Sequence, residues 1–263
     1  MPELPEVEAY RALAEARALD RRVAGVDAPD AWYLKGGLDA AAVAAALSGR
    51  RFTEARRIGK LLLLDTDGGE GPTLGLRFGM TGRLMVDGDA GVDGLLYTSK
   101  ADRPEWDRFT VRFADGGRLR MQDPRRLGGV LLDHEEGLLG VDAASVTLAG
   151  LRAALGTSSS PLKARLMHQG HLAGVGNLIA DEALWRAGLD SRRPAGGLTP
   201  AELRRLHRHL LATIADLSTR GGSHMGDLLP HRQPGGRCPK DGTPLERATV
   251  GGRTTWWCPA HQG

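Results

Sequence analysis

The chain has 263 residues, of which 41% are hydrophobic and 25% charged, as expected of a folded globular protein with room for two modest domains. No run approaches the roughly 18 apolar residues of a membrane span, and the acidic N-terminus lacks the basic and apolar regions of a signal peptide. We therefore expect a cytoplasmic protein with no membrane partner. The two cysteines lie close to the C-terminus, which argues against a disulfide framework and favours a local metal site or free thiols.

The formal net charge of +3 is distributed unevenly. Residues 1–141 carry 20 Lys and Arg against 23 Asp and Glu, a net −3, whereas residues 142–263 carry 15 against 9, a net +6. Basic charge concentrated in one half is typical of proteins that bind a phosphate backbone, although many basic faces are merely solvated.

The first half of the chain predicts two helices followed by many short strands. The spacing of Leu4, Val7, Tyr10 and Leu13 predicts an amphipathic helix over 6–19. A short Ala-rich helix over 40–47 follows, with Gly49 as a plausible C-terminal cap. Short runs separated by Gly and Asp then indicate an antiparallel sandwich or barrel. The predicted strands are 51–58, 60–65, 73–78, 83–86, 109–113, 118–122 and 130–133, and 88–94 is predicted to be an exposed loop.

The second half is predicted to be helical. Helices are expected over 146–155, 161–169 and 178–187, and a capping-box sequence at Thr199 starts a fourth that runs towards Leu217. The predicted fold class is α+β, with an N-terminal domain over 1–137, a helical domain over 142–230 and a cysteine-containing hairpin over 231–263.

The first eight residues, MPELPEVE, carry a candidate nucleophile. The small second residue favours removal of Met1, which would expose the secondary amine of Pro2. An α-amino group has a pKa of about 7.7 to 8.0, so a useful fraction is neutral near neutral pH. The carboxyl group of Glu3 could move protons beside it, which makes a working pair for covalent catalysis on a sugar aldehyde. The alternative is a proline at the first turn of a helix, followed by acids that the helix dipole favours.

Three later stretches complete a family pattern in the same order: GVGNLIADE at 174–182, DPRRLG at 123–128 and GRTTWWCPAHQ at 252–262. Together with the N-terminus, they make the chain resemble the bacterial formamidopyrimidine-DNA glycosylase and endonuclease VIII family of base-excision repair enzymes over essentially its whole length. The resemblance implies an antiparallel β-sandwich flanked by helices, then a helix-two-turn-helix domain with a zinc-ribbon-like β-hairpin. It also implies a nucleoid-associated monomer that acts on double-stranded DNA containing damaged bases or abasic sites.

The resemblance assigns catalytic and DNA-contacting roles. Pro2 and Glu3 match the catalytic pair, and Lys60 matches the active-site lysine, although a lysine at a strand edge is more often a solubilising charge. Glu6 matches an acidic residue of the family. The alternative is that Glu6 is an ordinary solvated residue on the surface of the helix. Three side chains fall on the loops that fill the gap left by an extruded nucleotide, where apolar bulk and a donor are needed. They are Met80, Arg126 and Leu127, and core packing is the alternative for Met80 and Leu127.

Two further residues are expected to contact phosphates. The sequence around Asn177 places glycines and an asparagine before a helix, which offers backbone amides and a side-chain amide to an anion. Arg253 lies at the hairpin position with which the family contacts the phosphates flanking the flipped nucleotide.

The C-terminal segment departs from the family pattern of four cysteines. At the family spacing, this chain has Cys238, Asp241, Cys258 and His261. Cys and His are good zinc ligands and Asp is a rarer one, so the spacing predicts a structural zinc site. The alternative is a metal-free turn at Asp241, with the tryptophans at 256 and 257 holding the hairpin.

The main functional hypothesis is a bifunctional DNA glycosylase and AP lyase that excises oxidised bases through an N-terminal proline iminium. A non-catalytic binder of damaged DNA with the same fold is the alternative, and a zinc-ribbon partner-binding module is a third. Leu127 replaces a phenylalanine of the purine-specific branch, and the segment 221–232 is short where that branch has a loop over the extruded base. The sequence therefore leaves the choice between oxidised purines and oxidised pyrimidines open, along with the preferred opposite base.

Overall fold

The computed structural model describes residues 2–92, 94–96 and 99–263. The chain forms two compact units. The N-terminal unit contains Pro2 and Glu6–Glu136, and the C-terminal unit contains Glu3–Pro5 and Gly137–Gly263. Among the described residues, no helix combines the length and apolarity needed to cross a membrane.

The first helix, α1 (Leu4–Arg17), begins two residues earlier than predicted, because Pro5 lies in its first turn, where a missing amide hydrogen is tolerated. One face of α1 is buried through Val7, Tyr10 and Ala14, as the helical spacing predicts. The second helix, α2 (Ala40–Leu47), has the predicted bounds, and Asp39 caps it by accepting a hydrogen bond from the Ala42 amide at 2.7 Å.

Eight strands form two four-stranded antiparallel sheets in the N-terminal unit. One sheet has the order β1-β6-β7-β5 and the other β2-β3-β4-β8. The strands are β1 (Val23–Asp27), β2 (Phe52–Ile58), β3 (Leu61–Thr66), β4 (Thr73–Arg77), β5 (Arg83–Val86), β6 (Asp107–Phe113), β7 (Arg118–Gln122) and β8 (Gly129–Leu132). The sequence did not predict β1, because it is short, contains Gly25 and alternates only weakly. The other seven lie within two residues of their predicted bounds.

Both sheets contribute to one hydrophobic core. Leu62 and Leu64 of β3 pack in the same cluster as Phe109 and Val111 of β6, and α1 adds Tyr10. All six residues of β3 are buried, as expected for a strand covered on both faces. The predicted antiparallel sandwich flanked by helices is confirmed.

The C-terminal unit is mainly helical. It contains a two-strand parallel pair, four helices and a β-hairpin: β9 (Val141–Asp142), β10 (Leu172–Ala173), α3 (Leu148–Leu155), α4 (Leu162–Leu166), α5 (Asn177–Ala187), α6 (Pro200–Thr219), β11 (Glu246–Val250) and β12 (Arg253–Trp257). The predicted capping box at the start of α6 is present, with reciprocal bonds between Thr199 and Glu202. The predicted helix 161–169 is too long at both ends. It stops at Leu166 because the Gln169 side chain bonds backbone groups of the next turn, accepting from Gly174 and donating to the Val175 carbonyl.

A second core fills the helical unit. It combines Ile179 and Leu184 of α5 with Leu206 and Leu210 of α6, and Leu4 of the N-terminal segment packs in the same cluster. The predicted helical fold with a terminal hairpin is confirmed, and Cys238 and Cys258, which lie on either side of the hairpin strands in the chain, belong to a separate small cluster with Trp185 and Leu228.

Candidate active site and nucleic-acid interface

The Glu3 carboxylate caps helix α5. Its side chain is fully buried, and its two oxygens accept hydrogen bonds from the amides of Leu178 (2.8 Å) and Ile179 (3.1 Å). A carboxylate at this position satisfies two amides that have no partner inside the helix and lies at the positive end of the helix dipole. The sequence predicted that backbone amides at this helix start would be offered to an anion. In the structure, the protein's own carboxylate occupies two of them.

Two glycines before α5 make this contact possible. Gly174 has φ +110°, which favours glycine, and a Cβ on Gly176 would lie 2.2 Å from the carboxyl carbon of Glu3. The glycines of the GVGN motif therefore serve the approach of Glu3 in this structure.

Three more residues of the predicted catalytic pattern lie in the N-terminal unit. Pro2 is buried and immediately precedes Glu3. Glu6 is also buried, so the alternative interpretation, in which it is a solvated helix residue, is wrong. Lys60 is half-buried and lies in the two-residue turn that joins β2 to β3, one residue before the strand that it was predicted to open. The turn is permitted by Gly59, which has φ +58°.

The two predicted gap-filling loops contact each other. A Cβ on Gly79 would lie 2.4 Å from the carbonyl carbon of Leu127, and the Thr81 hydroxyl donates to Asp123. Asp123 is fully buried and also accepts from the Gly128 amide at 2.8 Å, so it fixes both ends of the DPRRLG turn. Sequence reasoning did not single out Asp123, although a buried aspartate before a Pro-containing turn is a recognisable turn organiser.

The tip of this turn is exposed. Leu127 is 50% exposed, which argues against the core-packing alternative, and Met80 is half-buried. An exposed leucine held in place by a rigid turn could insert into a base stack.

Arg126 is held by an aspartate that the sequence did not single out. Its guanidinium forms two hydrogen bonds of 2.6 Å with Asp30, and Arg126 adopts the left-handed φ of +56°. This bidentate pair lowers the pKa of Asp30 below its usual range. The neighbouring Arg125 is exposed, and its guanidinium has no partner in the described part of the chain. Of the two arginines, Arg125 is therefore the one available to a ligand without breaking an ion pair.

The predicted phosphate contacts lie in the C-terminal unit. Asn177 is the first residue of α5 and is half-buried. Arg253 begins β12 directly after the two-residue turn Gly251–Gly252, whose φ values of +57° and +73° are those of a tight hairpin turn. Arg253 is exposed, and no described side chain pairs with its guanidinium. The turn thus presents a cation that is free to bind an anion.

The segment 221–232 is anchored to α5. The buried carboxylate of Glu182 accepts from the amides of Asp227 (3.1 Å) and Leu228 (3.0 Å) and also pairs with Arg186 at 2.7 Å. This short segment is therefore fixed at its middle, and no local pattern in the sequence indicates that Glu182 holds it.

The four predicted metal ligands come together. One ligand atom from each of Cys238, Asp241, Cys258 and His261 lies within 4.8 Å of the others. The His261 Nδ1 atom is 3.2 Å from Asp241 Oδ2 and 3.6 Å from the Cys238 sulfur, and Asp241 Oδ2 is 3.3 Å from the Cys258 sulfur. Tetrahedral zinc with bonds of about 2.0–2.3 Å separates its ligand atoms by about 3.3–3.8 Å, so the donor set fits a metal.

Surrounding groups orient these donors. His261 Nε2 lies 3.1 Å from the Trp185 carbonyl, which fixes that nitrogen as the donor and leaves Nδ1 with a lone pair towards the cluster. The Trp185 indole donates to the Cys238 sulfur at 3.4 Å. Asp241 Oδ1 accepts from the Thr243 amide at 2.8 Å, which contributes most to holding the pKa of Asp241 below its usual value. One carboxylate oxygen therefore caps the turn while the other faces the ligand group, so the turn and metal interpretations are compatible.

The chain combines an antiparallel sandwich unit with a helical unit whose hairpin could hold a metal, and comparisons with known proteins identify its family. The family described as Formamidopyrimidine-DNA glycosylase N-terminal domain matches residues 1–130, and that described as Formamidopyrimidine-DNA glycosylase H2TH domain matches residues 139–226. The formamidopyrimidine-DNA glycosylase of Chloroflexus aggregans is 34% identical, with 100% of this chain and 98% of the relative covered. That of Thermus thermophilus is also 34% identical, with 100% and 99% covered.

Solved structures agree in fold. A mutant of the Lactococcus lactis enzyme in complex with DNA containing Fapy-dG has a TM-score of 0.83 at 24% identity, with 99% of both chains covered. The same enzyme with abasic-site DNA has a TM-score of 0.81 at 23% identity, again over 99% of both chains. The chain belongs to the formamidopyrimidine-DNA glycosylase family, which confirms the resemblance drawn from its motifs.

Proposed function

We propose that the protein is a bifunctional DNA glycosylase and AP lyase that removes oxidised bases from duplex DNA. The observation that carries the proposal is the buried carboxylate of Glu3, held by two helix amides directly after Pro2. A buried acid fixed in one orientation beside a potential N-terminal amine is an arrangement for proton transfer during covalent catalysis. Family membership supports the same reaction.

In the proposed reaction, removal of Met1 frees the Pro2 nitrogen, whose lone pair attacks C1′ of the damaged nucleotide. Glu3 protonates the sugar ring oxygen, the damaged base leaves, and the Pro2 nitrogen is joined to C1′ as an iminium. The positive iminium acidifies the neighbouring C2′ proton. Elimination then cuts the strand on the 3′ side and afterwards on the 5′ side, and water releases the amine. We assign Lys60 to the phosphate next to the reacting sugar.

The test is borohydride trapping on oligonucleotides that carry an abasic site or different oxidised bases. Reduction of the iminium should link the protein covalently to DNA, and an N-terminal extension that blocks Pro2 should abolish the adduct. Pro2→Gly should trap poorly, because it keeps an amine but loses the constrained secondary one. Full-rate trapping by the blocked protein would contradict the assignment of Pro2. Tight binding without any trapping would favour the non-catalytic alternative.

We further propose that the turn 123–128 supplies the wedge and the donor that replace the extruded nucleotide. Leu127 is the exposed apolar tip, and Met80 lies in the loop that touches it. The sequence prediction assigns the donor to Arg126. Because Asp30 already holds Arg126, we add Arg125 as the side chain that reaches the orphaned base, with Arg126 keeping the turn in shape.

The hairpin metal is proposed to be zinc, since two thiolates, an imidazole and a carboxylate suit that ion. A bound zinc ion would cross-link the hairpin and supply no chemistry to the reaction. Cys238, Asp241, Cys258 and His261 would hold it. Asn177 and Arg253 are proposed to bind backbone phosphates of damaged duplex DNA. A cytoplasmic monomer that works on the nucleoid remains our expectation.

A further inference from the structure

A cluster of buried charges in the C-terminal unit has no part in the functions proposed above. The Lys163 side chain is fully buried on α4, and its ammonium group lies 2.7 Å from Asp181 Oδ1 on α5. The other oxygen of Asp181 lies 2.7 Å from the guanidinium of Arg232, whose side chain is only 9% exposed. Burial of three charged groups is costly unless each is paired and hydrogen-bonded, so their placement calls for a reason.

Two of these groups bind the hairpin strand β12. Lys163 donates to the Thr255 hydroxyl at 2.7 Å and to the Thr254 carbonyl at 3.1 Å, while its ion pair with Asp181 compensates its charge. Arg232 donates to the Thr254 carbonyl at 3.4 Å. Two consecutive residues of β12, Thr254 and Thr255, are thereby fixed to Lys163 and Arg232.

The turn of the hairpin is seated on the same short helix. A Cβ on Gly251 would lie 2.7 Å from the Cβ of Ala164, the residue that follows Lys163 on α4. Gly251 also has φ +57°, so both its conformation and its close approach require glycine. Arg253 therefore lies between two attachments to α4, one at Gly251 and one at residues 254–255.

None of these contacts involves a predicted metal ligand. Cys238 and Cys258 belong to a separate small cluster with Trp185 and Leu228, at the far end of β12 from Arg253. The hairpin is thus attached at two places along its length. A metal would cross-link the end near Cys258, whereas the buried ion cluster holds the end that carries Arg253.

We propose that Lys163, Asp181 and Arg232 form a metal-independent clamp that positions Arg253 for its phosphate contact. The proposal rests on the DNA-binding role proposed for Arg253. Lys163 is a positioning residue, because it acts on the DNA through the hairpin and touches no phosphate itself. The clamp holds its strand when the metal is absent, so metal loss and clamp loss have different consequences for Arg253.

The first test needs no DNA. In protein stripped of metal by a chelator, hydrogen exchange at the Thr255 amide should remain slow, because Lys163 still holds Thr254 and Thr255. In Lys163→Met with metal present, exchange at the same amide should accelerate at least tenfold. Fast exchange in the stripped protein, together with slow exchange in Lys163→Met, would overturn the clamp whether or not the protein binds DNA.

The second test measures the salt dependence of binding to duplex DNA that carries a non-cleavable abasic analogue. Arg253→Ala should reduce the slope of log K against log salt by about one, in the metal-bound and in the stripped protein alike. Lys163→Met should give the same reduction, and the double variant should lose no more than either single variant. Additive losses, or a stripped protein in which Arg253→Ala changes nothing, would overturn the proposal.

A milder pair of variants guards against misfolding. Thr255→Val removes one hydrogen-bond acceptor from Lys163 without altering any charge. It should weaken DNA binding in a protein that keeps Arg253, and it should have no effect in the Arg253→Ala variant. Thr249→Val is the matched control, because Thr249 is exposed on the other strand of the same hairpin, and it should leave binding unchanged. Equal effects of the two threonine variants would also contradict the clamp. If the wild-type protein bound no DNA, the proposed function would fail while the exchange test still decided the clamp.

Discussion

Replacing Glu3 by glutamine should separate the structural role of its carboxylate from its chemical role. The carboxylate accepts hydrogen bonds from two buried helix amides, and glutamine offers only one acceptor oxygen. One amide of Leu178 or Ile179 would then face an NH₂ group. An unsatisfied buried amide costs about 1–3 kcal/mol, and loss of a negative charge at the helix N-terminus costs about 0.3–1 kcal/mol more.

The expected destabilisation of Glu3→Gln is therefore about 1–4 kcal/mol. For a protein of this size, the unfolding midpoint should fall by roughly 3–16 °C, in the transition of the C-terminal unit to which Glu3 belongs. At 25 °C the variant should still be folded and bind non-cleavable abasic DNA, while base excision is lost because the titrating proton is gone. It could still cut a preformed abasic site slowly.

Scanning calorimetry alongside binding and excision assays provides the measurement, and Glu8→Gln is the matched control. Glu8 lies on α1, the helix that begins directly after Glu3, and pairs with Arg11 and Arg57, but its side chain is 39% exposed. Pairs of this exposure contribute about 0–1 kcal/mol, so the control should unfold within a few degrees of the wild type. If Glu3→Gln unfolded at the wild-type temperature, the two amide bonds would contribute nothing and the capping argument would be refuted. Equal loss of binding and excision would instead make Glu3 structural only.

Three further predictions follow from the site. Chelation should leave the main unfolding transitions in place, since neither large core contains a cysteine, and should lower DNA affinity less than Arg253→Ala does, because the clamp still holds Arg253. One zinc per chain by elemental analysis checks the metal, and zinc far below one per chain would contradict it. Gly176→Ala should abolish base excision, because the added Cβ would displace the Glu3 carboxylate. A crystal structure of the variant would show the displacement, and full activity would contradict the prediction. Arg125→Ala should weaken binding to DNA with an orphaned base without changing stability, whereas Arg126→Ala, which removes the two-bond partner of Asp30, should also lower the unfolding temperature. The opposite pattern would return the donor role to Arg126.

Local sequence signals determined most of the secondary structure and the family. The Ala-rich helix α2, strands β5 and β7, and the capping box of α6 lie where periodicity and cap residues predicted them, because each depends on neighbours a few residues away. The N-terminal motif and the ligand spacing at 238–261 likewise indicated the candidate chemistry, because both are patterns of residues close together in the chain. Strand β1 escaped prediction because only its pairing with β6 makes it a strand.

Only the tertiary structure decided which distant groups form hydrogen bonds and ion pairs with each other. The amide of Leu178 lies 175 residues along the chain from the carboxylate that caps it, and Asp30 is 96 residues from the arginine that it holds. Thr255 is 92 residues from the buried ammonium of Lys163. No pattern of local propensity encodes such pairs, because each forms only when distant parts of the chain pack against each other. For the buried pairs of Glu3 and Lys163, the favourable free energy comes from hydrogen bonds made where water is excluded.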